Sequence, residues 1–325
     1  MKPGRELSIK ENMQLVFEGK QPAWLPFFDD DCALVSSVAI GRKTDPKTGH
    51  IVDVFGTKFV SAADGPVPDH MQRRLTDVTK WRDVMPEINL RDIDWEADAK
   101  QIRANAVKEG QVIHLHAGSV WEQLHYMMGF EEAFVALMLE PDAAYACMDA
   151  IADFWIDVMR RLSKYLQPDY AVFFEHLATA KGLLISPDTY RSLIKPIQKK
   201  MYSAIIELGI IPEIHIDGYI EDLLPDFAEL GIRSIKPFQV MNDINRCKEQ
   251  YNMLAIGGWD AFGPGNQENS SEEEIRQSVR VAMDTYGPSS RYVFWASGVT
   301  ARYKKHAEII ADEARSYGVS FYNKL

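Results

Sequence analysis

Three ionisable side chains occupy alternate positions in Pro212-Glu-Ile-His-Ile-Asp-Gly218, the spacing that puts residues on one face of a strand. Glu213, His215 and Asp217 then share a face, and Ile214 and Ile216 share the other. If the isoleucines pack on a helical layer, the polar three point into the interior of a sheet, where polar groups without partners are costly. A histidine beside a carboxylate in such a place can pass a proton or ligate a metal. The plain alternative is that His215 and Asp217 merely satisfy each other, but charged groups are seldom buried without purpose.

Other strand-like runs end in similar chemistry. Val112-Ile-His-Leu-His116 puts His114 and His116 on one face with Gly118 beyond, and His116, nearer the strand end, is the better candidate. The run from Tyr170 ends in Glu175-His176, of which only one can point inward. Phe173 and Phe174 would desolvate an inward Glu175 and raise its pKa, or demand a cation beside it. Asp29-Asp-Asp31 and Trp259-Asp260 supply further acids, although acids at loop starts are most often helix caps or solvated faces. Phe28, Trp259 and Trp295 fall at strand ends and could stack on an aromatic ring, or simply belong to the core.

These groups need a scaffold that collects strand ends. Short β-rich runs alternate with helical patterns along most of the chain, the pattern of parallel β/α units. The runs are Trp24–Phe28, Val112–His116, Tyr170–Glu175, Pro212–Asp217, Ser234–Pro237, Met253–Gly257, Tyr292–Ala296 and Val319–Tyr322, a count near eight. Between them, Ala146, Met148, Ile151, Phe154, Trp155, Val158 and Leu162 form the apolar stripe of a helix over 142–167. Ser186 as N-cap, with Pro187 in the first turn, opens another helix running to Leu208. The expected fold is a (β/α)8 TIM barrel spanning residues 1–325 as a single domain, with catalytic groups at strand C-termini. Residues 40–90, rich in Gly, Pro, Asp and Lys, read as a small hairpin covering one rim, too short for a domain of its own.

Composition narrows the partners. With 36 basic against 47 acidic residues the chain carries a net charge of −11, which argues against nucleic acid and anionic membrane as partners. Three widely spaced cysteines, Cys32, Cys147 and Cys247, form no disulfide framework and no Cys-x-x-Cys metal knuckle. No apolar signal core or bilayer-length apolar run is present, so a reducing cytoplasm is the expected compartment. The phosphate loop, the dinucleotide-binding glycine turn and the serine-hydrolase elbow are all missing from the sequence, which removes the usual support for kinase, nicotinamide dehydrogenase and serine hydrolase readings.

An ordered set of segments resembles the uroporphyrinogen decarboxylase-like superfamily over nearly the whole chain, and its cobamide-dependent methyltransferase branch in particular. The set comprises Pro22-Ala-Trp-Leu-Pro26, Asp53-Val-Phe-Gly56, Leu184-Ile-Ser-Pro187, Lys195-Pro196, His215-Ile-Asp-Gly218, Leu223-Leu-Pro225, Lys236-Pro237 and Gly257-Gly258. The resemblance implies a barrel enzyme that passes a methyl group to a corrinoid (cobalamin) held by a separate protein. Thiol-activating relatives carry His-x-Cys at the strand of His215 and a later Cys as zinc ligands; here Asp217 and Ser297 stand near those places. That departure argues against a zinc-held thiolate and points to O-demethylation of a methoxylated substrate, aromatic compounds among them, as in the methyltransferase I component of anaerobic O-demethylases. His215, Asp217 and Glu175 would activate the departing oxygen as acids or as ligands to Zn2+, and His116, Phe28, Asp29, Trp259, Asp260 and Trp295 would bind the substrate. Asp29-Asp-Asp31, in place of the family's Arg-containing segment, argues against a porphyrinogen with many carboxylates. Alternatives are a decarboxylase of a smaller acid and a non-catalytic corrinoid- or ligand-binding module. The Asp-x-His-x-x-Gly motif of corrinoid-binding domains is only partly matched at Glu213–Gly218.

Overall fold

The computed structural model describes residues 7–62, 65–296 and 303–323. Seven parallel strands form one sheet in chain order: β1 (Cys32–Val35), β2 (Val112–His116), β3 (Tyr170–Phe174), β4 (Ile211–His215), β5 (Ser234–Phe238), β6 (Leu254–Gly258) and β7 (Tyr292–Trp295). The sheet is curled, as the fate of alternate residues shows. Val112, Tyr170, Leu254, Ile256 and Val293 pack together in an inner cluster with Met13 and Val16 of α1 (Ile9–Glu18). Their neighbours Ile113, Ala171, Ile214, Ile235, Ala255 and Phe294 join the outer core under the helices. Strand alternation thus sorts the sheet into a small interior and a large helix-covered exterior.

Six of the expected strands are present, and the two at the chain ends are not. The run from Trp24 contributes a single parallel bridge, Phe27 to Phe294. At Phe28 the chain turns into one helical turn, Phe28–Asp31, and β1 begins only at Cys32. The turn is held by Asp31, whose carboxylate accepts from the Phe27 amide and the Trp24 indole. Val319–Tyr322 forms no strand. Helix α6 (Lys304–Val319) runs through its start, and Phe321 and Tyr322 bury their rings among the helices, where the Tyr322 hydroxyl donates to the Gly287 carbonyl.

Two helices border the strand ends that carry the candidate residues, α2 (Trp121–Met128) after β2 and the long α3 (Pro141–Leu166). Helix α4 (Lys195–Glu207) continues from the turn that Ser186 caps, and α5 (Glu272–Tyr286) opens on a capping box at Ser271 and Glu274. Lys43–Thr44, Ile51–Val52, Lys58–Ala62 and Gly65–Pro68 make a four-stranded antiparallel sheet, more than the expected hairpin. It is tied to α2 through Asp53, which accepts from Gln123 Nε2 at 2.9 Å and from the Phe55 and Thr57 amides. Gly56, at φ 82°, closes that turn. None of the described helices is long and apolar enough to cross a membrane. The three cysteines are buried as free thiols.

A charged cluster lies in the interior of the sheet. Glu213, wholly buried, meets Lys236 Nζ at 3.0 Å, His114 Nδ1 at 3.1 Å and Ser234 Oγ at 2.6 Å. Burial opposes the Glu213 charge, yet these partners hold the carboxyl well below the usual carboxylate range. Burial also holds His114 below its ordinary value, so at neutral pH it donates to Glu213 as a neutral ring. Replacing Glu213 by Gln leaves a buried ammonium without a counter-charge and should lower unfolding free energy by about 3–5 kcal/mol in denaturant titrations. Because the folded carboxyl lies below its unfolded value of about 4.3, the stabilisation is present above that pH and is lost as pH falls toward the folded value. The gap between wild type and E213Q is therefore expected to be widest at neutral pH and to narrow below about pH 4.

Candidate active site

At the C-terminal ends of β2, β3 and β4 three rings stand side by side. The His215 ring stacks on Phe174 with centroids 4.1 Å apart, and Phe174 meets the edge of His116 at 4.4 Å. All three face a cavity of about 530 Å³ whose walls also include Trp155 of α3 and Ile40, Arg42 and Val54 at the rim sheet. The rim wall is anchored from below by Asp98, which accepts from Ser37 Oγ at 2.6 Å and from the Val38 and Ala39 amides.

After Phe174 the strand stops, and the chain no longer alternates. Glu175 donates its amide to the His215 carbonyl and turns its side chain outward, where it accepts from the Val120 amide at 3.4 Å. Burial, then the nearby Glu122 charge, pushes the Glu175 carboxyl up to about 8. His176, not Glu175, turns to the cavity, with its carbonyl fixed by the Trp121 indole. Its Nδ1 lies 3.0 Å from Glu122 Oε1, and its Nε2 lies 3.6 Å from Asp217 Oδ2. The Asp217 and Glu122 carboxylates on either side raise His176 to about 10, so it is charged at neutral pH. Burial works against the charge of Glu122, but the His176 bond holds that carboxyl at about 2. Asp217, similarly opposed by burial and held by His176 and His215, lies well below its ordinary value.

A chain of contacts results: the Tyr126 hydroxyl on Glu122, Glu122 on His176, His176 on Asp217, and Asp217 on His215 Nε2 at 3.7 Å. Gln239 sets the angle of Asp217 by donating to Oδ1 at 2.9 Å while accepting from the Gly218 amide at 2.7 Å. Burial lowers His116 to about 4 and also lowers His215, so both rings are neutral near pH 7.

His215, Asp217 and His116 are thus brought to one cavity. Glu175 is not, since the turn after β3 sends it toward α2. Phe28, Asp29 and Trp295 gather elsewhere. The Phe28 and Trp295 rings lie 5.1 Å apart beside Lys236, and the Trp295 indole donates to Asp29, whose carboxyl burial raises. Trp259 is buried against α5 and donates to Ser278. Asp260 holds its own turn through the Phe262 amide and borders a separate cavity of about 520 Å³ along α5. His215, Asp217 and Glu175 therefore do not converge as a ligand set for zinc, and Ser297 lies outside the described residues.

Sequence reasoning missed Glu122, His125 and Gln239 and gave the inward place to Glu175 over His176. A signal was available in Trp121-Glu-Gln-Leu-His125, because Glu-x-x-His on a helix puts both side chains on one face.

A cavity at the carboxyl ends of a curled parallel sheet defines the class, a parallel α/β protein with its site where strand ends converge. The chain belongs to the uroporphyrinogen decarboxylase (URO-D) family, whose model matches residues 51–299. A solved methyltransferase from Methanosarcina mazei superposes with a TM-score of 0.67 at 12% identity, over 96% of this chain and 99% of that one. A variant methylaspartate ammonia lyase from Clostridium tetanomorphum reaches a TM-score of 0.39 at 12% identity over 71% of this chain and 48% of its own. No curated protein sequence matches the chain.

Gly118 gives a direct check on the cavity wall. It sits at φ 96° between β2 and α2, and a Cβ there would fall 2.1 Å from Trp155 Cδ2. Gly118→Ala must therefore displace the Trp155 ring on the cavity wall and strain the backbone. It should lower stability by about 1–3 kcal/mol, read as a drop of several degrees in the thermal midpoint with altered tryptophan emission.

Proposed function

We propose that the protein is a corrinoid-dependent methyltransferase, moving the methyl group of a small methoxylated substrate to the cobalt of a partner corrinoid protein that docks over the cavity mouth. The observation that carries this reading is the Glu122–His176–Asp217–His215 chain set against flat ring walls. Breaking a methyl ether leaves an electron pair on oxygen, and that oxygen departs only if it meets a proton or a Lewis acid. An electrophilic pole centred on His176 answers that need, with Asp217 holding His176 and His215. The neutral His116 and His215 rings with Phe174 and Trp155 form a slot for an aromatic ring. The corrinoid, carried on its own protein, supplies the methyl acceptor as a co-substrate.

Family membership and the fold shared with the Methanosarcina mazei methyltransferase support the reading. The size of the cavity suits a single-ring substrate. Arg42 is the one lysine or arginine among the described residues that line it. A substrate with many carboxylates is therefore poorly matched, whereas one carboxylate on the ring has a partner. The same Arg42 favours decarboxylation of a small acid as the second reading. Phe28, Asp29 and Trp295 then serve the inner core, Trp259 and Asp260 the outer layer, and Glu175 the packing of α2. The whole chain acts as one barrel unit in a soluble, cytoplasmic setting.

Mixing the protein with a Co(I) corrinoid protein and methoxylated aromatics should produce methylcobalt, seen in the cobalt absorption spectrum. His215→Ala should slow the transfer by about a hundredfold or more, while Trp259→Phe should leave it unchanged. Absence of methylcobalt with every methoxylated substrate, or carbon dioxide release from an acid in its place, would overturn the proposal.

A further inference from the structure

Glu122, His125 and His176 present one ligand atom each within 4.8 Å of one another, a grouping that the proposed methyl transfer uses only in part. Glu122 and His125 come from one face of α2, three residues apart, and His176 comes from the turn after β3. The Glu-x-x-His spacing on a helix, completed by a ligand from another element, recurs in carboxylate-bridged metal centres. Two independent observations point to a missing occupant. His125 Nε2 and Glu122 Oε2 are both buried and neither has a hydrogen-bond partner, although polar atoms at such depth are nearly always satisfied.

We infer that Glu122, His125 Nε2 and His176 Nδ1 form a site for a divalent transition-metal ion, Zn2+ by the chemistry of the donors. Two imidazoles and a carboxylate are the ligand set of catalytic zinc, which keeps a fourth position open. Donor atoms about 2.1 Å from a common ion stand closer together than 4.8 Å, so the side chains draw in slightly as the ion takes the place of the proton between Glu122 and His176. Glu122 and His176 line the cavity and His125 backs them, so the open position faces the substrate space. The remaining nitrogen of His176 already points at Asp217, which Gln239 orients. That is the carboxylate–histidine–metal arrangement by which an outer carboxylate fixes a ligand ring. The ion would be the Lewis acid for the departing oxygen, and only this role rests on the proposed methyl transfer. The binding site itself does not.

The test is titration of chelator-treated full-length protein with Zn2+ in a calorimeter, with metal content measured on the protein as purified. Wild type should bind one ion per chain and rise in thermal midpoint with Zn2+. His125→Ala should lose stoichiometric binding and the thermal shift, His215→Ala should keep both, and Asp217→Asn should bind about 10–100-fold more weakly. Co2+ loading of wild type needs no variant and should give the visible bands of a four-coordinate nitrogen–oxygen site without thiolate. Absence of a stoichiometric ion in wild type, or loss of binding in H215A with retention in H125A, would overturn the inference. Bound zinc without methyl transfer would leave the site standing and remove the proposed reaction.

Discussion

One imidazole clamped between two carboxylates sets the geometry of this molecule's cavity. His176 lies on the turn after β3, Glu122 on the first turn of α2, and Asp217 just beyond β4. Three elements far apart in sequence are locked by that ring. The energetics favour the lock, because Glu122 is buried and would be costly to charge without a cationic partner. The turn that delivers His176 also explains why Glu175 is turned away and must live with a raised pKa.

Deeper in the curled sheet, a second charged cluster does different work. Glu213 gathers Lys236, His114 and Ser234 beneath the row of rings, with Phe28 packed on Lys236. A buried ion pair contributes little net stability compared with apolar packing, but losing one of its two partners is expensive. The cluster ties β2, β4 and β5 together across the interior, two residues below His116 on β2 and His215 on β4. The polar interior is therefore layered, with a structural layer inside and a layer open to the cavity at the strand ends.

Period-two alternation made much of this legible in the sequence. It placed Glu213, His215 and Asp217 on one face, and the helical stripe over 142–167 corresponds to α3. It failed where the chain leaves regular structure. Trp24–Phe28 reads as a strand, but the Asp31 carboxylate bends it into a helical turn before β1. Val319–Tyr322 has strand-like residues, yet its aromatic rings find burial among helices. The choice between Glu175 and His176 depends on one backbone turn that periodicity cannot see. Trp259 and Asp260 follow a strand end as expected, but face α5 and not the cavity. The Glu122–His125 pair carries its signal in helical spacing alone, and its meaning depends on a histidine much later in the chain that only the fold brings near.

His176, and not its neighbour, faces this cavity, which differs there from the one that strand alternation alone would build, and the proposed chemistry is centred on it. Single-turnover methyl transfer in His176→Ala and Glu175→Gln, each measured against wild type with the same corrinoid partner, separates the two most directly. H176A should lose about a hundredfold or more in rate, and E175Q should stay near wild type. Equal losses, or a larger loss in E175Q, would contradict a His176-centred site.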